Sequence, residues 1–191
     1  MTGRPLGREF LARDSRVIAP QLLHKLLVRG TRVARIVEVE AYAGVEDPGS
    51  HGYRGPTART EVMFGPPGHL YVYFTYGMHW CANVVCGPDG VCSAVLLRAA
   101  EPLEGLPGMR RARGRGARRA RDLCSGPAKL CQAFGIDGRH DGTDIVAGTE
   151  IGLVDDGTRA PPDPIQTGRV GLSQGAEHPW RWYVPDSPFI S

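Results

Sequence analysis

Long apolar runs are missing from this chain, and no stretch approaches the roughly 20 apolar residues that a membrane-spanning helix needs. The opening residues M-T-G-R-P-L-G-R-E-F also lack the apolar core of a secretory signal peptide. No internal repeat occurs along the chain. These absences indicate a soluble, cytoplasmic protein that makes no membrane contact.

Cysteine pairs are missing as well. The five cysteines are Cys81, Cys86, Cys92, Cys124 and Cys131. Their number is odd and none forms a C-x-x-C pair, which argues against a disulfide framework and against a zinc knuckle. We therefore expect reduced, intracellular thiols.

The chain is too short for two domains that each have a well-buried core. A chain of 191 residues with 41% hydrophobic and 23% charged content can bury one substantial core. The 26 glycines and 16 prolines follow no period, which indicates many turns and a sheet-centred, loop-rich α/β or α+β protein. We predict one domain over residues 1–191.

A strong overall charge is also absent, because the formal net charge is only +3. Seven arginines nevertheless crowd residues 110–121, here called the arginine segment. They alternate with Ala and Gly and give no apolar face, so the favoured interpretation is a solvated or disordered loop. The alternative is a surface that contacts phosphates.

The stretch R-I-V-E-V-E-A-Y, residues 35–42, organises the rest of the chain. Val37, Val39 and Ala41 alternate with polar residues, which predicts a half-buried strand. Glu38 and Glu40 then share one face, where two anions repel unless a cation or a shifted pKa relieves them. Such a pair is either a structural ion-pair site or catalytic equipment, and the pattern alone favours the structural role.

Three further elements frame this strand. Helical spacing of leucines predicts a helix within residues 19–27, with Pro20 in its first turn. An apolar strand over residues 94–97 ends in Arg98, whose guanidinium could pair with Glu38 and Glu40 or with the nearby Glu101 and Glu104. A helix over residues 123–134, capped by Ser125, could bind a phosphate with help from Lys129.

The segments between these elements carry most of the candidate functional groups. The loop over residues 44–59 holds His51, which becomes interesting only if it meets a partner. Next comes the most aromatic stretch, where Tyr71 and Tyr73 share a strand face and Tyr76 stands beside Gly77, where a hairpin or a bulge would push it outward. The tyrosines, together with His79 and Asn83, are either a packed sheet face or a stacking surface, and both interpretations remain open.

Assembled in order, these pieces resemble the alkyladenine (3-methyladenine) DNA glycosylase family. The matching motifs are R-I-V-E-V-E-A-Y, T-A-R-T-E-V-M-F-G-P-P-G-H-L-Y-V-Y-F-T-Y-G-M-H-W-C-A-N, V-L-L-R-A-A-E-P-L-E-G, L-C-S-G-P-A-K-L-C-Q-A, and the ending from R-V-G through W-Y-V-P-D-S-P-F-I-S. The resemblance covers nearly the whole chain. It implies a single mixed α/β (α+β) domain with a curved, largely antiparallel sheet, flanking helices and a protruding hairpin.

The resemblance also implies an activity. A monofunctional, monomeric enzyme of base excision repair would flip damaged purines out of duplex DNA, at a cost of a few kcal/mol, and hydrolyse the N-glycosidic bond. Its substrates would be 3-methyladenine and, in addition, hypoxanthine and ethenoadenine. No cofactor and no metal would take part, and a bacterial enzyme of this kind would work at the nucleoid.

Individual roles follow from the matching positions. Glu40 corresponds to the general base that activates water, while Arg98 and the backbone carbonyl of Val170 would help to hold that water. The base pocket would consist of Tyr42, His51, Tyr73 and Asn83, with Asn83 discouraging normal guanine. Tyr76 would fill the gap left by the flipped base, and Thr57, Met63 and Lys129 would lie near the DNA backbone. Glu38 receives no catalytic role and is expected to form a structural ion pair.

Two other functions compete with this assignment. The first is a non-catalytic nucleic-acid binding module that uses the tyrosine hairpin and the arginine segment, for which steep salt dependence without turnover would be diagnostic. The second is an enzyme of RNA or nucleotide metabolism built on the same sheet. Residues 173–177 depart from the commoner aromatic or histidine-bearing form of the family, which leaves the range of lesions open.

Overall fold

Nine strands form one antiparallel sheet in the computed structural model, which describes residues 3–148 and 150–191. The strands are β1 (Arg4–Pro5), β2 (Leu26–Arg29), β3 (Arg32–Tyr42), β4 (Leu70–Thr75), β5 (His79–Val85), β6 (Ala94–Glu104), β7 (Ile151–Asp155), β8 (Ile165–Thr167) and β9 (Arg181–Tyr183). Their order is β1-β7-β2-β3-β6-β5-β4, with β9 paired to β3 and β8 paired to β9. The long strands β3 and β6 therefore form the centre of the sheet.

Helices flank this sheet. The α-helices are α1 (Arg8–Leu11), α2 (Ser15–Leu22), α3 (Leu106–Arg113) and α4 (Pro127–Phe134), and short 3-10 helices span Gly44–Glu46, Glu61–Phe64, Gly114–Gly116, Ala120–Asp122 and Gly138–His140. Helix α2 packs on β3, and α4 packs on β5 and β6. The predicted mixed α/β fold with a curved antiparallel sheet is confirmed. Across the described residues, no helix has the length and hydropathy to cross a membrane.

Strand β3 lies where the sequence predicts it, but it is buried on both faces. The alternating pattern predicts a half-buried strand, yet Glu38 and Glu40 have no exposed surface. The reason is that the polar face is covered by β9 and by the segment that leads into it, far along the chain. The two carboxylates must consequently be compensated inside the protein.

A double bulge interrupts the pairing of β3 with β6. Val37 is an extra residue on β3 and Arg98 is an extra residue on β6, since neither has a partner across this pair. Bulges of this kind re-aim side chains. Here the shift places Ile36, rather than Val37, in the main core, while Arg98 turns toward the carboxylates of β3.

The leucine-rich region after Asp14 folds differently from the prediction. Helix α2 begins at Ser15, capped by Asp14, so that Pro20 lies inside it, and the last two leucines of the region belong to β2. Between the two elements, Leu23 leaves the helical conformation with a ψ of 138°, and His24 has a positive φ of 68°. A short apolar run fits a buried helix and a buried strand equally well, and pairing with β3 and β7 decides for the strand.

Two other boundaries differ. Strand β6 does not end at Arg98 but continues to Glu104. Helix α4 is capped by Gly126 and not by Ser125, which instead forms a β-bridge with Ala99. In both cases hydrogen bonds to a neighbouring strand override the local signal.

The arginine segment is helical except at residues 117–119, contrary to the favoured interpretation as a loop. It covers the end of α3 and two 3-10 helices. Met109, Ala117 and Leu123 are buried and fix it to the main core. Because these apolar anchors are widely spaced, no continuous apolar face appears in the sequence.

The apolar core has two parts. The larger part fills the space between the sheet and helices α2 and α4. A smaller cluster consists of Met63, Tyr71, Val85, Cys92 and Ala94, with Tyr73 packed against it. Burial of each such side chain contributes roughly 1.5–3 kcal/mol. The smaller cluster forms the rigid support of the candidate site.

Candidate active site

The carboxylate of Glu40 is buried and its two oxygens have separate partners. Oε1 accepts a hydrogen bond from the backbone N–H of Val170 at 2.8 Å and lies 3.2 Å from Nη1 of Arg98. Oε2 accepts a hydrogen bond from the hydroxyl of Tyr42 at 2.9 Å. Three elements far apart in sequence thus hold one carboxylate in a fixed orientation.

Val170 contacts Glu40 through its backbone N–H, a contact that the resemblance does not assign. The role of its backbone carbonyl in holding water stays a prediction. Val170 itself is 49% exposed. The segment that covers Glu40 is therefore accessible from solvent on its outer side.

Glu38 is held more completely than Glu40. Its Oε1 accepts hydrogen bonds from Nε of Arg98 at 2.9 Å, from Nε of Arg181 at 2.7 Å and from the hydroxyl of Ser191 at 2.9 Å. Its Oε2 accepts from the backbone N–H of Ser191 at 2.6 Å. These bonds support the expected structural ion pair, and Glu101 and Glu104 do not bond to Arg98.

Burial and neighbouring charges act in opposite directions on the pKa values of Glu38 and Arg98. Burial alone would raise the pKa of Glu38, but the Ser191 N–H and the charges of Arg98 and Arg181 outweigh it and lower that pKa. Burial alone would lower the pKa of Arg98, but Glu40 and Glu38 raise it. Both groups are consequently charged at neutral pH.

A partly open cavity of about 50 Å³ lies next to Tyr42, the hydrogen-bond partner of Glu40. It is lined by Tyr42, Gly49, His51, Met63, Tyr71, Tyr73, Asn83 and Leu172. All four residues of the predicted base pocket are among them. Tyr42 belongs to both sites, because its ring lines the cavity while its hydroxyl bonds to Glu40.

Aromatic rings meet edge and face inside this cavity. The His51 ring lies 4.5 Å from the Tyr73 ring in a T-shaped contact, and the rings of Tyr71 and Tyr73 stack at 5.5 Å. Nδ1 of His51 lies 2.9 Å from the hydroxyl of Tyr71. Asn83 is buried and donates to the Tyr71 carbonyl at 3.2 Å. His51 therefore has a polar partner, the hydroxyl of Tyr71.

The cavity groups are neutral at pH 7. Burial raises the pKa of Tyr42 and Tyr73 well above the usual range and raises the pKa of Tyr71 to about 12. Burial, assisted by the charge of Arg59, lowers the pKa of His51. The cavity therefore offers uncharged rings and hydroxyl donors, with the negative charge of Glu40 behind one wall.

Two residues that were not predicted as site residues support the side of the cavity formed by Tyr42. Asp47 and Arg169 form a buried ion pair, and the guanidinium of Arg169 lies over the Tyr42 ring at 4.8 Å. The sequence gives no signal for the pair, because the partners are distant and each occurs in an ordinary loop. Tyr71 and Leu172 were also missed as cavity residues, although Tyr71 shares a strand face with Tyr73.

The predicted hairpin is present between β4 and β5. Tyr76 and Gly77 at its tip both have positive φ, 50° and 65°, as a type I′ turn requires. Tyr76 is 79% exposed and Met78 is 67% exposed. The hairpin thus presents two large apolar side chains to solvent.

The three residues expected near the DNA backbone lie in different settings. Met63 is 2% exposed and forms part of the cavity wall. Thr57 is exposed, and its hydroxyl lies 3.0 Å from that of Thr60. Lys129 is exposed on α4 and donates to Ser125 at 3.2 Å. The DNA contacts of all three stay predictions.

Comparison with known proteins gives a consistent result. A family model described as methylpurine-DNA glycosylase (MPG) matches residues 9–188. A protein of Burkholderia lata is 54% identical over 99% of this chain and 92% of its own length, and one of Streptomyces avermitilis is 51% identical over 98% and 91%. A protein of Carboxydothermus hydrogenoformans is 44% identical over 97% and 98%. All three carry provisional names as 3-methyladenine DNA glycosylases.

Proposed function

The chain belongs to the methylpurine-DNA glycosylase family and is a DNA glycosylase, and on this premise we propose that Glu40 activates the water that hydrolyses the N-glycosidic bond of a damaged purine. One observation carries the proposal: the buried carboxylate of Glu40 shares Tyr42 with an aromatic cavity. Family membership also decides against a module that only binds nucleic acid.

The first step is extrusion of the damaged nucleotide. The target bond lies inside the base stack, and flipping costs a few kcal/mol, least where a lesion already weakens pairing. Tyr76 enters the space that the base leaves, because it is the most exposed large side chain at the hairpin tip. The duplex is thereby held open while the base occupies the cavity.

Recognition of the base relies on stacking. The rings of Tyr42, His51 and Tyr73 line the cavity, and stacking of this kind contributes roughly 1–3 kcal/mol per base while tolerating different bases. A purine made cationic by alkylation gains further cation–π attraction from the tyrosines. Asn83 discourages normal guanine by crowding its exocyclic amino group.

Hydrolysis then needs a general base that deprotonates the water and a negative charge close to the sugar. We assign both to Glu40. Glu40 takes a proton from water as the oxygen attacks C1′ of the sugar, and its charge stabilises the oxocarbenium-like transition state. The electron pair of the N-glycosidic bond leaves with the purine, which in an alkylated, cationic base departs as a neutral molecule. A neutral purine such as hypoxanthine or ethenoadenine takes up one proton from the solvent at a ring nitrogen as it leaves. Arg98 keeps Glu40 in position from the side opposite to Tyr42.

Access of water to Glu40 requires a small displacement. Glu40 has no exposed surface, and its oxygens contact Val170, Arg98 and Tyr42 in the free protein. Hydrogen bonds at catalytic groups often rearrange when substrate binds. Entry of the flipped base beside Tyr42 causes this displacement, because the ring of Tyr42 lines the cavity. The Val170 carbonyl then becomes available to the water.

The products are a free base and an abasic site, and the enzyme acts as a monomer without cutting the strand. We include 3-methyladenine, hypoxanthine and ethenoadenine as substrates. The protein works in the cytoplasm and, if its host is a bacterium, at the nucleoid, where its DNA substrate lies.

Release of free base from duplexes that carry one lesion each tests the proposal. The wild-type protein should release 3-methyladenine, ethenoadenine and hypoxanthine, measured by chromatography. Glu40→Gln should abolish release while binding to the duplex persists, and Glu104→Gln, an exposed glutamate at the end of β6, serves as the matched control. Release by Glu40→Gln at the wild-type rate would show that the assigned mechanism is wrong.

A further inference from the structure

We propose that the arginine segment is a second contact surface for duplex DNA, which binds backbone phosphates beside the lesion and adds affinity for DNA of any sequence. The inference rests on the proposed function and extends it to a surface outside the base pocket. Its partner is the phosphate backbone, and the damaged base plays no part in it.

Five of the seven arginines make no polar side-chain contact with the described residues. Arg110, Arg111, Arg115, Arg118 and Arg121 are exposed, and over residues 3–148 and 150–191 their side chains form no hydrogen bond and no ion pair. The other two are engaged: Arg119 lies 3.4 Å from Asp122, and Arg113 bonds to the side chain of Gln132. A purely structural role is therefore confined to Arg113 and Arg119.

The free arginines project from an ordered scaffold. Helix α3 and the 3-10 helices Gly114–Gly116 and Ala120–Asp122 carry four of them, and Arg118 lies in the short connection between the two 3-10 helices. The buried side chains of Met109, Ala117 and Leu123 anchor this region to the core. A flexible basic tail loses conformational entropy when it binds. A fixed array avoids most of that loss, which suits it to a regular polyanion.

Their spacing also favours an external anion. Arg115, Arg118 and Arg121 recur every three residues, and Asp122 is the only carboxylate within residues 110–122. Like charges at such separations repel each other. DNA carries one phosphate charge per roughly 1.7 Å of helix axis and releases condensed counterions when arginines neutralise it. A duplex therefore relieves the repulsion that the free protein retains.

The location places this surface beside the hairpin. Met78 and His79 follow Tyr76 within three residues and line a groove together with Ala112, which stands between Arg111 and Arg113 at the end of α3. Three residues span at most roughly 11 Å. With about 3.4 Å between phosphates along a strand, the groove lies within about three nucleotides of the point where Tyr76 meets the duplex.

The decisive experiment compares two double variants with the same net charge. Arg115→Gln/Arg118→Gln removes two arginines of the segment, and Arg4→Gln/Arg159→Gln removes two exposed arginines elsewhere, Arg4 being on β1 at the sheet edge opposite to the hairpin. Affinity for an undamaged duplex is measured by fluorescence anisotropy between about 50 and 200 mM salt. Thermal unfolding checks that both variants remain folded.

We expect the segment variant alone to show a shallower salt dependence. Each lost phosphate contact lowers the slope of log Kd against log salt by about 0.9, so the expected decrease is about 1–2. The control variant should keep the wild-type slope. Extension to Arg110, Arg111 and Arg121 should enlarge the decrease further.

Two results would overturn the inference. They are a wild-type slope in the segment variant and equal decreases in both variants. Base release from a 3-methyladenine duplex, measured in parallel, separates this inference from the proposed function. A protein that releases no base but shows the expected slopes would contradict only the proposed function.

Discussion

Arg169 and Asp47 form a two-pronged ion pair in which neither side chain has any exposed surface. Nη1 of Arg169 lies 2.5 Å from Oδ2 of Asp47, and Nη2 lies 2.7 Å from Oδ1. The same guanidinium donates to the carbonyls of Ala41 and Gly175 and lies between the rings of Tyr42 and Trp180. It therefore joins the end of β3 to the segment that carries the Glu40 partner.

Removal of one partner from this pair should destabilise the protein strongly. In Asp47→Asn, the guanidinium stays buried without compensation, which typically costs about 3–5 kcal/mol. The free energy of unfolding in urea measures the loss. Asp163→Asn, at an exposed site, should change it by less than about 0.5 kcal/mol. Equal unfolding midpoints for the two variants would contradict the assigned importance of the pair.

Tyr42→Phe should reduce base release without loss of stacking. The substitution removes the hydroxyl that donates to Glu40 and leaves the ring against Arg169. A hydrogen bond to a charged group contributes about 1.5–3 kcal/mol, so the single-turnover rate should fall about 10- to 100-fold. Tyr71→Phe, which removes a cavity hydroxyl that does not bond to Glu40, should have a smaller effect. The idea fails if Tyr42→Phe retains the wild-type rate.

Glu38→Gln and Glu40→Gln should separate stability from chemistry. Glu38 compensates both Arg98 and Arg181, so its neutralisation should cost about 3–5 kcal/mol, whereas Arg98 keeps Glu38 as a partner in Glu40→Gln. Because the pKa of Glu38 is lowered in the fold, its contribution is present above about pH 4.3 and is lost as the pH falls through the folded-state pKa.

Urea unfolding at several pH values checks this prediction. The difference between wild type and Glu38→Gln should be large at pH 7 and should shrink in acid. A larger loss of stability in Glu40→Gln than in Glu38→Gln would reverse the assignment of the two carboxylates.

The pKa of His51 should respond to Arg59. Burial, the larger cause, and the charge of Arg59 both lower it, so Arg59→Gln should raise it while leaving it below about 6.5. An NMR titration of the imidazole measures the change, with Arg54→Gln in the same loop as the control. An equal shift in both variants would exclude a specific effect of Arg59.

Two glycines with similar backbones should differ sharply in their tolerance of alanine. Gly30 and Gly44 have φ of 56° and 60°. A Cβ at Gly30 meets no atom of residues 3–148 and 150–191 within 4 Å, whereas at Gly44 it would lie 2.2 Å from the Cys92 carbonyl. Gly30→Ala carries only the conformational cost of roughly 1–2 kcal/mol. Gly44→Ala should lose about 1–3 kcal/mol more through overpacking. Thermal unfolding compares them, and equal losses would show that the loop at Gly44 yields.

Sequence information was sufficient where local pattern and charge agree. Alternation located β3, and the need to compensate two carboxylates on one face led to Arg98. The hairpin followed from Gly77 beside Tyr76 in an aromatic stretch. These features depend on neighbouring residues or on the chemistry of one charge, so they can be recognised without a structure.

Features that depend on distant pairing could not be predicted. The double bulge at Val37 and Arg98 exists only when β3 and β6 are in register. The pair of Asp47 and Arg169 joins residues 122 positions apart. The helical state of the arginine segment depends on Met109 reaching a core built by other elements. In each case tertiary contacts outweigh the local preference.

The hairpin tip shows what the fold gives up. Tyrosine at a positive φ costs on the order of 1–3 kcal/mol, and asparagine or glycine would suit residue 76 better. Its ring, 79% exposed, contributes almost nothing to the core in return. Selection for stability alone would favour a different residue at this position. The presence of Tyr76 therefore indicates selection for contact with another molecule.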